Sequence, residues 1–140
     1  MRILVIDAQG GGIGKQLVAA IKSTLPDCPV TVVGTNSLAT AAMLKAGADN
    51  AATGENAVIV NCRHTDVIVG PVGIVIADAL LGEITPAMAI AVAQSNARRI
   101  LIPVNHCDNI VVGVASLNTG KLIRDAIAEL QRLQESPQES

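Results

Sequence analysis

The chain has 140 residues, half of them hydrophobic, with a formal net charge of −2 and no Phe, Tyr or Trp. This length and apolar content are enough for one domain whose core is built from aliphatic residues and methionine. The few basic residues do not cluster, and no aromatic ring is available to stack on a base, so we expect no nucleic-acid partner.

Export and membrane insertion are not indicated either. The apolar N-terminal run is only strand-sized and lacks the apolar core and cleavage site of a signal peptide. The most apolar segment, residues 67–81, is too short to span a bilayer and contains Asp78. Three cysteines without CxxC spacing provide no disulfide framework. The sequence therefore predicts a cytoplasmic protein in a reducing compartment, with no membrane partner.

The first predicted element is the continuous apolar run RILVID at residues 2–7, which is typical of a strand buried on both faces. Ile13, Leu17, Ile21 and Leu25 follow at four-residue steps and predict a helix. The alternation then continues along the chain. Further strands are predicted at residues 30–35, 48–53, 66–72, 98–105 and 109–116, and further helices at residues 36–47, 54–63, 73–81, 85–94 and 122–133.

Residues 54–63 are ambiguous, because their apolar run fits a strand as well as a helix. We favour a helix, since a crossover is needed before the next strand and residues 66–72 make the better strand. In residues 85–94, Thr85 is a suitable N-cap and Pro86 stands in the first turn, where proline is well tolerated.

Strands that alternate with helices predict an α/β protein. We expect a single-domain, Rossmann-like three-layer fold with a doubly wound, mainly parallel sheet of about five to six strands. The domain is predicted to span residues 1–135, followed by a flexible polar tail at residues 136–140. Ligands of such sheets bind outside the carboxyl ends of the strands, where the strand order reverses. The candidate site residues are therefore those that follow each strand.

The loop after the first strand, DAQGGGIGKQL, carries the strongest functional signal. Its glycines allow positive φ and a close approach of the backbone to a ligand. The helix that follows offers unpaired N–H groups and the positive end of its dipole. An anion site is the functional interpretation, and a tight turn that binds nothing is the structural one. The candidate residues are Asp7, Gly10, Gly11, Gly12, Ile13, Gly14 and Lys15.

No standard nucleotide motif is complete in this loop. The P-loop pattern fails at Gln9 and Gln16, and the pattern GxGxxG fails at Lys15. The loop is similar to the phosphate turn of short-chain dehydrogenases, in which the GIG of residues 12–14 fits but Ala8 replaces the first glycine. The catalysis of that class is excluded, because the chain has no tyrosine for a Tyr–Lys pair. In addition, no acid that could bind a ribose follows the second strand.

Two charged residues of the loop have alternative roles. Lys15 lies at the unfavourable, positive end of the helix dipole, so it either neutralises a bound phosphate or extends into solvent. Asp7 either holds a metal on a phosphate, or acts as a base, or accepts hydrogen bonds from N–H groups of the glycine loop.

Polar or small residues also follow the second, fourth and fifth strands. Those after the second strand suit either a ribose or the capping of the next helix. Those after the fourth strand either leave room for a ligand or serve packing alone. The further candidates are Thr35, Asn36 and Ser37, then Gly70, Pro71 and Gly73, and then Asn105.

The role of His106 and Cys107, after the fifth strand, stays open. Together with Cys62 and His64 they match the ligand types of a Cys2His2 zinc site. The predicted topology places the two pairs at opposite edges of the sheet, roughly 20 Å apart for a strand of about seven residues. No metal site is therefore predicted.

Residues 72–93 are apolar nearly all round, with Asp78 and Glu83 as the only charges. A helix on the outer face of a small sheet normally presents polar residues to solvent. The excess of apolar surface predicts an interface, and a two-fold homodimer is the commonest solution. Burial of the segment by the last helix and the loops is the alternative.

Four segments together resemble a known family: the glycine loop, GTNSLATAAMLKAGADNAATGENA, GPVGIVIADALLGEITPAMA and ILIPVNHC. The family consists of small, uncharacterised bacterial proteins that carry only a domain-of-unknown-function label, and the resemblance extends to about residue 127. Ala8 departs from the pattern, in which glycine is expected. The resemblance implies a Rossmann-like fold and assigns no activity, cofactor or catalytic residue.

The sequence thus predicts a protein that binds a nucleotide, a dinucleotide or another phosphorylated small molecule at residues 10–15. A non-catalytic sensor or interaction protein with a purely structural glycine turn is the alternative. Whether a reaction is catalysed stays open, because no complete catalytic set can be named.

Overall fold

A computed structural model describes residues 1–104, 109–114 and 118–136. Within these residues, strands and helices alternate from the N-terminus to the last helix. The strands are β1 (Ile3–Asp7), β2 (Val30–Gly34), β3 (Asn50–Thr53), β4 (Val67–Pro71) and β5 (Arg98–Ile102). The helices are α1 (Gly12–Thr24), α2 (Ser37–Lys45), α3 (Glu55–Asn61), α4 (Pro86–Gln94) and α5 (Thr119–Glu135), with a short 3₁₀ helix (Val72–Val75) after β4.

The five strands form a parallel sheet in the order β3-β2-β1-β4-β5. β1 is the central strand, in which Ile3 pairs with Val30 on one side and with Val67 on the other. The chain runs outward from β1 to β3 and then crosses to β4, so the strand order reverses between β1 and β4. The prediction of a single Rossmann-like α/β domain with a doubly wound, parallel sheet is confirmed.

Alternate residues of β1 point to two separate cores, as the two-residue period of a strand requires. Ile3 and Val5 belong to the core beneath α1 and α5, whereas Leu4 and Ile6 belong to the core beneath α3 and α4. α2 packs beside α1 and against β2. The helices thus cover both faces of the sheet and leave the carboxyl ends of the strands accessible at one edge.

The favoured interpretation of residues 54–63 agrees with the structure, because α3 lies there and buries Val58. The helix predicted at residues 73–81 is wrong. The 3₁₀ helix ends at Val75, and turns follow in which Asp78, Leu80 and Leu81 have positive φ. An α-helix of L-residues cannot contain this left-handed conformation.

The sixth strand predicted at residues 109–116 is also not observed in its described part, residues 109–114. The side chains of Ile110 and Val112 are 90% and 92% exposed, and no strand of the sheet pairs with this segment. The apolar run at residues 109–114 was therefore not sufficient evidence for a strand. Across the described part of the chain, every helix is too short or too polar to cross a membrane.

Candidate functional site

The carboxyl ends of β1, β2 and β4 lie side by side at one edge of the sheet. An open cleft of about 280 Å³ adjoins the loop between β1 and α1 at this edge. It brings the glycine loop together with the segment after β4 and with the first residue of α5. The lining residues are Asp7, Ala8, Gln9, Gly10, Gly11, Gly12, Ile13, Gln16, Leu80 and Thr119.

Two glycines of the loop are required by packing. Gly11 is the N-cap of α1 and has a φ of 72°, and a Cβ on it would lie 2.9 Å from the carbonyl oxygen of Ala39. A Cβ on Gly14 would press against the sulfur of Met43 and lie 2.9 Å from the Cβ of Asp7. The absence of side chains lets α1 approach α2 and β1 closely, so the structural interpretation accounts for these two positions.

Gly10 and Gly12 are different, because a Cβ on either would meet no heavy atom within 4 Å. Both residues line the cleft. Among the hydrogen bonds of the described residues, the N–H groups of Gly10, Gly12 and Ile13 have no protein acceptor, whereas the N–H of Gly11 donates to the Ala8 carbonyl at 3.0 Å. Free backbone donors at the start of a helix can bind an anion.

Asp7 is 5% exposed and lies beneath the loop. Its Oδ1 accepts from the N–H of Ala8 at 2.8 Å, and its Oδ2 accepts from the N–H of Gly14 at 2.7 Å. Burial raises the pKa of Asp7, the two backbone hydrogen bonds oppose this rise, and the nearby charge of Glu83 adds to it. Three roles were considered for Asp7 from the sequence. In the structure, its carboxylate accepts hydrogen bonds from N–H groups of the loop and of the start of α1.

Glu83 reaches this edge from the segment after the 3₁₀ helix, and the sequence did not identify it as a site residue. Its Oε1 accepts from Thr35 Oγ1 at 2.7 Å, from Asn36 Nδ2 at 2.7 Å and from the N–H of Gln9 at 3.1 Å. Its Oε2 accepts from the same N–H at 3.1 Å. Partial burial raises the pKa of Glu83, but these hydrogen bonds outweigh it and hold the pKa below its usual value.

No local pattern could have identified Glu83, because its partners lie 47 to 74 residues away along the chain. The one available signal was a charge in an otherwise apolar segment. Leu80 and Thr119 were missed for the same reason, since only the folded chain brings them to the glycine loop. Ala8, Gln9 and Gln16 lie in the loop or directly after it in the sequence, and their position alone could have identified them.

The residues after β2 cap α2 and also bind the carboxylate of Glu83. Asn36 is the N-cap of α2, and its Oδ1 accepts from the N–H of Ala39 at 2.9 Å. Its amide and the hydroxyl of Thr35 meanwhile hold the carboxylate of Glu83. Ser37 is the exposed first residue of the helix. Thr35 and Asn36 are thus engaged with Glu83 and not free for a ligand in this conformation.

The candidates Gly70, Pro71 and Gly73, at the end of β4 and just after it, do not line the cleft. A Cβ on Gly70 would press against the carbonyl oxygen of Ile6, and one on Gly73 would lie 3.3 Å from the Cβ of Ala79. Pro71 is buried at the end of β4. Close packing therefore accounts for both glycines.

Lys15 is exposed on α1 and is not among the residues that line the cleft. Gln16 lines it instead, and its side-chain amide donates to the carbonyl of Gly12 at 3.2 Å. The candidate Asn105 lies outside the described residues, together with its neighbours His106, Cys107 and Asp108.

Of the residues weighed as zinc ligands, the structure describes Cys62 and His64, and neither lines this cleft. Cys62 is buried at the end of α3, and burial raises the pKa of its thiol to about 11. His64 is exposed on the turn that follows. Among the described residues, no group of three or more His, Cys, Asp or Glu side chains is placed to hold a metal ion.

The fold and the cleft define a Rossmann-like α/β protein with a glycine loop at the reversal of strand order. The chain belongs to the family described as Domain of unknown function (DUF3842), whose profile matches residues 2–135. No curated protein matches the chain.

One similar solved structure is the crystal structure of a dodecameric FMN-dependent UbiX-like decarboxylase from Escherichia coli O157:H7. The sequences are 18% identical, the TM-score is 0.46, and the match covers 96% of this chain and 76% of the other. A similarity of this size carries no information about ligand or reaction.

Proposed function

We propose that this protein binds a nucleotide or another phosphorylated small molecule, with a phosphate at the N-terminus of α1. The observation that carries the proposal is the set of N–H groups at Gly10, Gly12 and Ile13, which have no acceptor in the described part of the chain and belong to residues that line an open cleft. The absence of packing around Gly10 and Gly12 supports it, because the fold itself does not require glycine there.

A second helix end strengthens the electrostatic side of the proposal. Thr119, the first residue of α5, lines the same cleft as the glycine loop. α1 has 13 residues and α5 has 17, and each helix N-terminus carries about half a positive charge. Two such ends at one cleft favour a ligand with negative charge. Lys15, one turn into α1, adds a positive charge near the same helix end.

The proposal is tested by native mass spectrometry of freshly purified protein, followed by calorimetry with NAD, NADP, ATP, GTP and CoA. We expect a retained ligand or a measurable affinity for one of these. Gly12→Val should weaken that affinity at least about tenfold, because a β-branched side chain then fills the space that the phosphate needs.

The matched control is Ala19→Val, which introduces the same side chain at an exposed position of the same helix, away from the cleft. Circular dichroism confirms that both variants are folded. Unchanged affinity in folded Gly12→Val would contradict the phosphate site. Failure of every probe would instead favour the second candidate, a non-catalytic sensor or interaction protein, for which the packing of Gly11 and Gly14 already provides a structural reason.

We further propose that the protein forms a homodimer through α3 and α4. Much of the segment at residues 72–93 is buried within the protomer, so only its outer face is available to form the interface that the sequence predicts. Ile90 is 53% exposed there, beside a groove between the two helices. The apolar residues that α3 and α4 contribute to this groove include Ile59, Ala87, Ile90 and Ala91.

A further inference from the structure

Glu83 is a carboxylate that the fold brings to the rim of the glycine loop from a distant part of the chain. The segment that carries it contains four residues with positive φ: Asp78, Leu80, Leu81 and Gly82. Three of them are not glycine, and each left-handed L-residue is held at a cost of about 1 kcal/mol or more. The surrounding fold therefore has to hold this conformation. In this conformation, the segment places the carboxylate of Glu83 within hydrogen-bond distance of the N–H of Gln9.

The two oxygens of this carboxylate are used unequally. Oε1 accepts two short hydrogen bonds, from Thr35 and Asn36, in addition to the N–H of Gln9. Oε2 has one donor among the described residues, that same N–H at 3.1 Å. An ionised carboxyl group has about four acceptor sites, so Oε2 retains the capacity to accept from a ligand while Thr35 and Asn36 fix the orientation of the group.

The position of Glu83 defines what it can recognise. It lies at the ends of β1 and β2, beside the loop whose free N–H groups are proposed to hold a phosphate. In dinucleotide-binding sheets, an acid at the end of the second strand accepts a hydrogen bond from the ribose 2′-hydroxyl. No acid follows β2 in this sequence, and the fold supplies one from residue 83. A carboxylate at this point attracts a hydroxyl and repels a phosphate.

We infer that Glu83 recognises the ribose of the bound nucleotide: Oε2 accepts a hydrogen bond from a ribose hydroxyl, and the negative charge excludes a ribose that carries a 2′-phosphate. This inference rests on the proposed phosphate site. It assigns the ligand to the class of ribonucleotides with a free 2′-hydroxyl. Thr35 and Asn36 act through Glu83 as positioning residues.

The experiment measures calorimetric affinities for pyrophosphate, ADP, 2′-deoxy-ADP and adenosine 2′,5′-bisphosphate. The proteins are the wild type, Glu83→Gln and the control Glu55→Gln. Glu55 is an apt control because its carboxylate also accepts a bond from the segment after β4, from Thr85 Oγ1 at 2.7 Å, whereas the described residues show no hydrogen bond between it and the glycine loop. Thermal denaturation verifies that all three proteins are folded.

For the wild type and the control, we expect ADP to bind at least about tenfold more tightly than 2′-deoxy-ADP or the 2′-phosphorylated probe, because a hydrogen bond to a charged group is lost or a like charge is added. The affinity of Glu83→Gln for ADP should be lower than that of the wild type, while its affinity for 2′-deoxy-ADP should be unchanged. The 2′-phosphorylated probe should bind Glu83→Gln more tightly than it binds the wild type. Pyrophosphate should bind Glu83→Gln at least as well as the wild type.

Two results overturn the inference, and they are distinguishable from failure of the phosphate site. If the wild type binds ADP and 2′-deoxy-ADP equally, or if Glu83→Gln weakens both by the same factor, Glu83 only holds the segment in place and the phosphate site stands. If pyrophosphate and all nucleotides fail to bind, both the site and the inference are refuted.

Discussion

Alanine at position 14 would place a methyl group where α1, β1 and α2 meet. The new Cβ would press against the sulfur of Met43 and lie 2.9 Å from the Cβ of Asp7. Met43 is fully buried and Asp7 is fixed by two backbone hydrogen bonds, so neither can move aside freely. Overpacking of this kind costs about 1–3 kcal/mol, while alanine gains about 0.5–1 kcal/mol over glycine within a helix. We expect Gly14→Ala to lower the free energy of unfolding by about 1 kcal/mol.

Gly12→Ala is the matched comparison on the same loop. Its Cβ would meet nothing within 4 Å, and the residue is not among those with positive φ. Alanine at a compatible glycine position stabilises a protein by about 0.4–1 kcal/mol, chiefly by restricting the unfolded chain. The two variants should therefore differ by roughly 1.5–2 kcal/mol in the free energy of unfolding, with opposite signs relative to the wild type.

The assay is urea unfolding followed by far-ultraviolet circular dichroism, because the chain has no Trp or Tyr to report by fluorescence. Linear extrapolation gives the free energy of unfolding, and an unchanged slope shows that the unfolded states are comparable. If Gly14→Ala is as stable as Gly12→Ala, Met43 and Asp7 relax around the new methyl group. The division of the loop into packed and open glycines would then be wrong.

Three further predictions concern single side chains. Lys15→Ala should stabilise the empty protein by a few tenths of a kcal/mol by relieving the clash with the helix dipole and weaken nucleotide binding in calorimetry; normal binding would make Lys15 a surface residue. In sedimentation equilibrium the wild type should exceed the 14.3 kDa of one chain and Ile90→Glu should not, whereas a wild-type mass of one chain at all micromolar concentrations would exclude the dimer. The pKa of Glu83 is lowered on folding, so its stabilising effect is complete above the usual pKa and is lost as pH falls through the folded value. The stability advantage of the wild type over Glu83→Gln, measured by urea unfolding, should therefore shrink in acid below about pH 4.5 and not change between pH 6 and 8.

The sheet and most helices could be predicted because their signals are local. Residues 3–6 are all apolar, and β1 is buried on both faces. The four-residue spacing from Ile13 to Leu25 marks the buried face of α1, on which Leu17 and Ile21 pack. Patterns of this kind depend only on the period of the element.

Two predicted elements, the helix at residues 73–81 and the strand at residues 109–116, are not observed in the described residues. Both segments are rich in apolar residues but lack the regular spacing that distinguishes a helix from a strand. Residues 73–81 are apolar enough for a helix, yet Leu80 takes a positive φ and packs in the core beneath α4. Residues 109–114 are apolar enough for a strand, but Ile110 and Val112 face away from the core. Tertiary contacts, not local preference, set the conformation of both segments.

The surroundings of the glycine loop restrict how a phosphate could bind there. Asp7 uses the N–H groups of Ala8 and Gly14, and Glu83 uses that of Gln9. Within residues 1–104, 109–114 and 118–136, the loop N–H groups that remain for an anion are those of Gly10, Gly12 and Ile13, and the start of α5 lines the same cleft. A ligand that was anionic along its whole length would be repelled on the side of Glu83. The proposed ligand therefore places its phosphate toward α5 and an uncharged group with hydroxyl donors toward β2, which is the arrangement that a ribonucleotide provides and inorganic phosphate does not.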